Sequence, residues 1–172
     1  MTKARITNAL LFLLLAAPAA AEEGAPAPAT LKVRLLAPLT TKFNRKGDLV
    51  SAQVLEPAAY AGGILEGEIR EIKASPKDSS VQFEFHTLHL AGKASPVTAA
   101  LMETANSRHQ SGTDDDGNAL ETSKHGVTGK ISGVTGVFSH GGGALRLAAK
   151  SANLSFAPGS ELVLQVQFRK SR

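Results

Sequence analysis

The stretch Val81-Gln82-Phe83-Glu84-Phe85-His86-Thr87-Leu88-His89-Leu90 decides the fold. Val81, Phe83 and Phe85 fall on one side of an extended chain, with Gln82 and Glu84 on the other, the period of two that marks a half-buried strand. Beyond His86 the apolar phase moves to Leu88 and Leu90. A slip of one residue inside continuous strand chemistry predicts a bulge or sharp bend there.

Working upstream, Ile64 to Lys73 reads as a strand that opens after Ala61-Gly62-Gly63, and Ser75-Pro76-Lys77-Asp78 supplies the turn of a hairpin. Val50, Ala52 and Val54 alternate with Ser51 and Gln53 until Pro57 ends the run. Leu31, Val33 and Leu35 alternate with Lys32 and Arg34, and the polar Asn44-Arg45-Lys46-Gly47-Asp48 forms the intervening turn. Downstream, Gly92-Lys93 turns the chain into Val97, Ala99 and Leu101. After Pro158-Gly159, Leu162, Leu164, Val166 and Phe168 make a last strand that closes the sheet. Short strands joined by Gly/Pro turns predict a mainly β fold, a single small antiparallel β-barrel or sandwich over residues 31–168.

The first residues set the compartment. Lys3 and Arg5 precede an apolar run from Ala9 to Ala17, Pro18 breaks it, and Ala19-Ala20-Ala21 supplies a small-residue cleavage site. This is the pattern of a signal peptide over residues 1–21, and the run is too short to span a bilayer. The expected location is the periplasm or cell envelope. Residues 22–30 (EEGAPAPAT) read as an extended Pro/Ala-rich linker. The chain has no cysteine, so the fold must be held by burial and hydrogen bonds, and thiol chemistry is excluded. No apolar run in the mature chain is long enough for a transmembrane helix.

Of 19 basic and 15 acidic residues, removing Lys3 and Arg5 leaves 17 and 15, a formal net of +2. Arg169, Lys170 and Arg172 form a basic tail at 169–172, without aromatic residues between them to stack bases. Nucleic acid is therefore not the expected partner.

Two segments break the strand pattern. Residues 105–125 are polar, carry Asp114-Asp115-Asp116-Gly117-Asn118 and lack an apolar period, which predicts a mobile surface loop. Asp114, Asp116 and Asn118 have the spacing that begins an EF-hand calcium loop, but Ala119 stands where that loop needs Gly and His125 where it needs Glu. The aspartates are read as solvated, and no metal is assigned. Residues 126–152 place Val127, Ile131, Val134 and Phe138 on one helical stripe, with Gly126, Gly129, Gly133 and Gly136 on a second beside it. Ala144 to Ala152 follows with good helix formers, so the expectation is an inserted Gly-rich helical hairpin, with two Gly-rich strands as its rival because Val and Thr also suit sheets. Small residues at this spacing let backbones approach closely, which makes these four glycines the candidate interaction residues.

No catalytic residue is assigned. His86 and His89, three apart on a strand, point to opposite faces. His109, His125 and His140 stand in loops or at element ends. Glu66 and Glu68 read as the wet face of a sheet, and no nucleophile elbow or phosphate loop is present. No cofactor is expected.

The order of elements resembles the periplasmic β-barrel domain of TrbI-type conjugation and type IV secretion channel proteins. Leu31-Lys32-Val33-Arg34-Leu35 and Gly47-Asp48-Leu49-Val50-Ser51-Ala52-Gln53-Val54 look like that family's opening strands. Ile64 to Ile69 stands at its third strand, Gly126 to Ala149 at its helical hairpin, and Phe156 to Leu162 at the approach to its last strand. The family's apolar-Pro-x-Gly-Ser signature before the third strand is replaced here by Ala61-Gly62-Gly63. The resemblance implies a barrel that works in an envelope assembly. The expected function is thus an exported, non-enzymatic interaction or assembly module that engages an envelope protein or itself. The alternative is a periplasmic ligand-binding module or hydrolase with a pocket in the barrel mouth.

Overall fold

The structure, a computed structural model, describes residues 27–121 and 144–169. The signal-peptide reading of residues 1–21, most of the linker, the glycines Gly126, Gly129, Gly133 and Gly136, and the tail beyond Arg169 lie outside the described residues.

The chain forms β1 (Ala29–Leu35), β2 (Leu39–Thr40), β3 (Leu49–Glu56), β4 (Ile64–Ala74), β5 (Ser79–Leu90), β6 (Lys93–Ala105), β7 (Ala144–Ala149), β8 (Ser155–Phe156) and β9 (Glu161–Phe168). Strands β1, β3, β4, β5, β6 and β9 pair in an antiparallel ring, in the order β4-β3-β1-β9-β6-β5, and β4 pairs back onto β5 to close it. Wall strands that follow one another along the chain are neighbours in the ring, except that β9 enters last between β1 and β6. Of barrel and sandwich, the fold is the barrel. Closure gives every wall strand a partner on each side, though not along its whole length.

Alternation puts the core where the sequence indicates. Leu31, Val33 and Leu35 of β1, Ala52 and Val54 of β3, and Leu162, Leu164 and Val166 of β9 are all essentially inaccessible to water. Phe83 and Phe85 meet edge to face inside, with ring centroids 5.7 Å apart. Each large apolar side chain buried in this way stabilises the fold by roughly 1.5–3 kcal/mol.

The slip near His86 is a bulge. Glu66 pairs with Thr87 and the next residue, Gly67, pairs with Phe85, so His86 is the unmatched residue. Gly67 is essential to that corner: a Cβ there would lie 1.7 Å from the Glu84 carbonyl oxygen and 2.9 Å from the Phe85 Cα. Only a residue without a side chain lets the two backbones approach so closely. The next hairpin turns through Ala91 (φ +49°) and Gly92 (φ +77°) between the paired Leu90 and Lys93. Two consecutive positive φ values define a type I′ turn, which matches the twist of the strands it joins.

The second arm of the expected helical hairpin requires correction, while its first arm, over residues 126–143, lies outside the described residues. Ala144–Ala149 is a strand, and no helix occurs among the described residues. β5 is longer than the stretch that β6 covers: β6 pairs only with Thr87–Leu90, which leaves Ser79–Glu84 with an open edge. β7 fills that edge, with Ser79 opposite Ala149 and Glu84 opposite Ala144. Leu145 and Leu147 point into the core. Helix propensity in Ala-Leu-Arg-Leu-Ala-Ala is worth only tenths of a kcal/mol per residue, less than the buried leucines and the ladder contribute. The same six residues carry a period of two, Leu145 and Leu147 against Ala144 and Arg146, hidden by their good helix formers.

Candidate functional site: an aspartate knot at the end of the barrel

The segment after β6 is the most concentrated polar structure among the described residues. Its reading as a solvated loop does not hold at its centre, because Asn106 and Asp114 are fully buried. The Asn106 carboxamide oxygen accepts the backbone N–H groups of Arg108 and Gln110, each at 3.0 Å. Its Nδ2 donates to Gln110 Oε1, Thr113 Oγ1 and the Asp114 carbonyl, at 3.0, 3.2 and 3.0 Å. One asparagine thus organises the turn that contains His109 (φ +62°), whose backbone conformation is one that His tolerates better than most residues.

Asp114 and Asp115 tie this turn to the other end of the chain. Asp114 Oδ1 accepts the Asn118 N–H at 2.7 Å, and its Oδ2 accepts Asn118 Nδ2 at 3.0 Å and the Ser155 N–H at 3.1 Å. Asp115 Oδ1 accepts both the N–H and the hydroxyl of Ser107. Its Oδ2 accepts the Ala157 N–H at 2.6 Å and the Ser160 hydroxyl at 3.1 Å. The Asp115 N–H in turn donates to the Ser155 carbonyl at 2.8 Å. Burial pushes the Asp115 carboxyl up, but the hydrogen bonds from Ser107, Ala157 and Ser160 outweigh it and hold it below its ordinary value.

Two adjacent aspartates therefore clamp β8 and the approach to β9, the strand that closes the barrel. Their lone pairs are committed to protein donors. Asp116, the second carboxylate of the calcium-like spacing, is exposed, and no cluster of three metal-ligating side chains exists among the described residues. The reason the sequence did not reveal the knot is that its partners at Ser155, Ala157 and Ser160 lie about 40 residues away. The only local signal was the Asx chemistry of Asn106 and Asp114, each followed by a residue whose N–H it can accept.

The clamp sits beneath the departure of the long insertion. Leu120 bridges to Ala149, and the Glu121 N–H donates to the Ala148 carbonyl at 2.7 Å. The chain re-enters the described structure at Ala144, on the same strand β7. Lys150 holds the neighbourhood together from outside through Asp78 at 2.7 Å and Glu121 at 2.9 Å.

The other residues named from sequence are dispersed. His86 contacts Thr87 Oγ1 through Nδ1 at 2.9 Å, while His89 Nε2 contacts Glu66 Oε2 at 2.9 Å, so the two histidines have separate partners. Glu68 pairs with Arg70, which also binds Glu84. Two shallow depressions flank the knot. One, of about 270 Å³, holds Glu161 between Lys32 Nζ at 2.9 Å and His109 Nδ1 at 3.8 Å; the hydrogen bond to Glu161 holds the Lys32 ammonium above its ordinary pKa. The other, of about 380 Å³, is lined by the apolar Pro38, Phe43, Phe156 and Pro158 together with Lys42 and Asp116. Neither is lined by His86, His89 or Asp114, the residues that the barrel-mouth pocket alternative would place there.

Comparison with protein-family models, with curated proteins and with solved structures gives no significant match to this chain.

Proposed function

We propose that the protein is an exported, non-enzymatic envelope protein whose barrel serves as an interaction or assembly module. The observation that carries this reading is the anchoring of the insertion. The described residues on either side of 122–143 are fixed at β7, Leu120 by its bridge to Ala149 and Ala144 by strand pairing with β5. The aspartates nearest to them hold backbone amides. A rigid wall that grips both ends of an insertion suits presentation of that insertion to a partner. The sequence of the insertion, with Gly126, Gly129, Gly133 and Gly136 spaced for close backbone approach, supports contact with an envelope protein or a second copy. The likeness of the sequence to TrbI-type periplasmic barrels and the export pattern of residues 1–21 point the same way.

The test is sedimentation across a wide concentration range, together with capture of envelope proteins by the tagged chain. Self-association or specific capture that is lost in Gly129→Leu/Gly133→Leu supports the proposal. A monomer at the highest concentration, with capture unchanged by these substitutions, contradicts it.

A further inference from the structure

A second surface lies on the connection between β2 and β3. There the chain reads Thr41-Lys42-Phe43-Asn44-Arg45-Lys46-Gly47-Asp48, and Phe43 is 72% exposed. Such exposure is not the accident of a loose loop. The Thr40 N–H donates to Asn44 Oδ1 at 2.7 Å, the Asn44 N–H returns to the Thr40 carbonyl, and the Lys42 N–H reaches Thr40 Oγ1. Arg45 Nη1 donates to the carbonyls of Phe43 and Asn44, and Asp48 Oδ2 caps the Arg45 N–H at 2.8 Å. The Gly47 N–H and the Asp48 carbonyl are tied to Ile69 of β4. A preorganised loop thus holds an aromatic ring in water.

The apolar exposure continues on the adjoining wall. Leu49 is 79% and Leu36 45% exposed. The Leu36 N–H donates to the Ser51 carbonyl, which places Leu36 opposite Ser51, and Leu49 lies two residues from Ser51 on the same outward face. Arg34 shares that face.

Charge identifies what the surface fits. Among the described cations, Lys32, Arg70, Lys73 and Lys150 each pair with a carboxylate, while others such as Lys77 and Lys93 stand alone; the 42–46 stretch is distinguished by three such cations beside an exposed ring. Lys42, Arg45 and Lys46 are exposed and form no salt bridge among the described residues; Lys42 Nζ lies 5.4 Å from the centre of the Phe43 ring instead. Of the carboxylates on neighbouring segments, Asp48 accepts the Arg45 amide, Glu68 is held by Arg70, Glu66 contacts His89, and Asp116 lines the same depression as Lys42. Unpaired cations on the same loop as an exposed Phe43 and next to the exposed Leu49 complement a plane of anionic headgroups above an acyl layer. Basic residues are attracted to the headgroups while the apolar ones enter the interface. We propose that the Lys42–Leu49 loop docks the barrel on an anionic phospholipid bilayer, with Phe43 inserted at the headgroup boundary. This surface is separate from the glycine-bearing insertion, so the proposal does not depend on that interaction.

The chain contains no tryptophan, so Phe43→Trp in the full chain creates a unique and local reporter. Its emission should shift to the blue with phosphatidylglycerol-containing vesicles and not with pure phosphatidylcholine vesicles. Leu49→Trp, a second reporter at an exposed site, should respond likewise. Ala58→Trp, exposed just past the other end of β3, should not. Adding Lys42→Glu and Lys46→Glu to Phe43→Trp should weaken partitioning at least about tenfold, since each basic residue near such a surface contributes about 1 kcal/mol. The proposal would be overturned by an unshifted emission from the Phe43→Trp variant or by an equal shift on phosphatidylcholine. An equal response from the Ala58→Trp variant, or indifference to the two lysines, would do the same. A blue shift that grows with protein concentration in the absence of lipid would overturn it in favour of a second copy as the occupant.

Discussion

The barrel wall and the 106–118 segment are held in opposite ways. In the wall, apolar side chains at every second position are buried and the backbone satisfies itself strand to strand. In the 106–118 segment, side chains satisfy the backbone: Asn106, Asp114 and Asp115 together accept hydrogen bonds from the amides of Ser107, Arg108, Gln110, Asn118, Ser155 and Ala157. The wall tolerates substitution at many outward positions and is brittle where backbones touch. The knot is brittle at three side chains. Two such regions share one chain because the strand that closes the barrel, β9, is approached through residues the knot holds.

The largest effect should come where the wall is tightest. Gly67→Ala forces a carbon to within 1.7 Å of the Glu84 carbonyl, so β4 and β5 must separate and the ring must open. A loss above about 4 kcal/mol, or failure to fold, is expected in chemical denaturation. Gly117→Ala makes the matching comparison. Gly117 has φ +85° with nothing within 4 Å of an added Cβ, so only backbone strain of about 1 kcal/mol should appear. Equal losses at the two glycines would erase the distinction between wall and loop.

Within the knot, Asp114→Ala leaves the Asn118 and Ser155 amides without their acceptor. A loss of about 2–4 kcal/mol is expected, with faster proteolysis at 106–118 as the local readout. Outward-facing Gln53→Ala in the wall should change stability by no more than about 0.5 kcal/mol.

Acid should reach a carboxylate in each region. The Asp115 carboxyl is depressed in the folded protein, so its contribution is present above the ordinary carboxylate value and is lost as pH falls through its lower folded value. Glu84 behaves in the same sense, because the hydrogen bond from Arg70 lowers it against the effect of burial. Unfolding midpoints of the wild type and Asp115→Asn should therefore converge as pH drops below about 4. A gap that is constant with pH would show that the carboxylate charge is not what holds Ala157 and Ser160 on the approach to β9.

The smallest effect is a gain. Ala91 takes φ +49° in a turn that favours Asn-Gly. Ala91→Asn should stabilise the wall by about 0.5–1 kcal/mol, read as a raised denaturation midpoint.

The wall was legible in the sequence because its rule is local. Leu31-x-Val33-x-Leu35 and Leu162-x-Leu164-x-Val166 state their faces within five residues, and the phase slip at His86 marks the bulge without reference to a partner strand. The partner that makes the bulge possible, Gly67, was not marked, since nothing in Leu65-Glu66-Gly67-Glu68 shows which backbone will approach it. β7 was obscured because Ala and Leu serve helix and strand alike, and the deciding term was an open edge on β5 created by β6. The knot was illegible for the same physical reason on a larger scale. Asp114 and Asp115 look like solvated loop aspartates until β8 arrives from across the chain to supply amides.

Native-state amide hydrogen exchange along β9 tests the closed ring most directly. Leu162, Leu164 and Val166, paired on both sides by β1 and β6, should exchange only through global unfolding and form the slowest class in the molecule. Exchange of these amides at the rate of a frayed edge strand would mean that β9 does not close the wall, and the barrel on which both proposed surfaces stand would not exist.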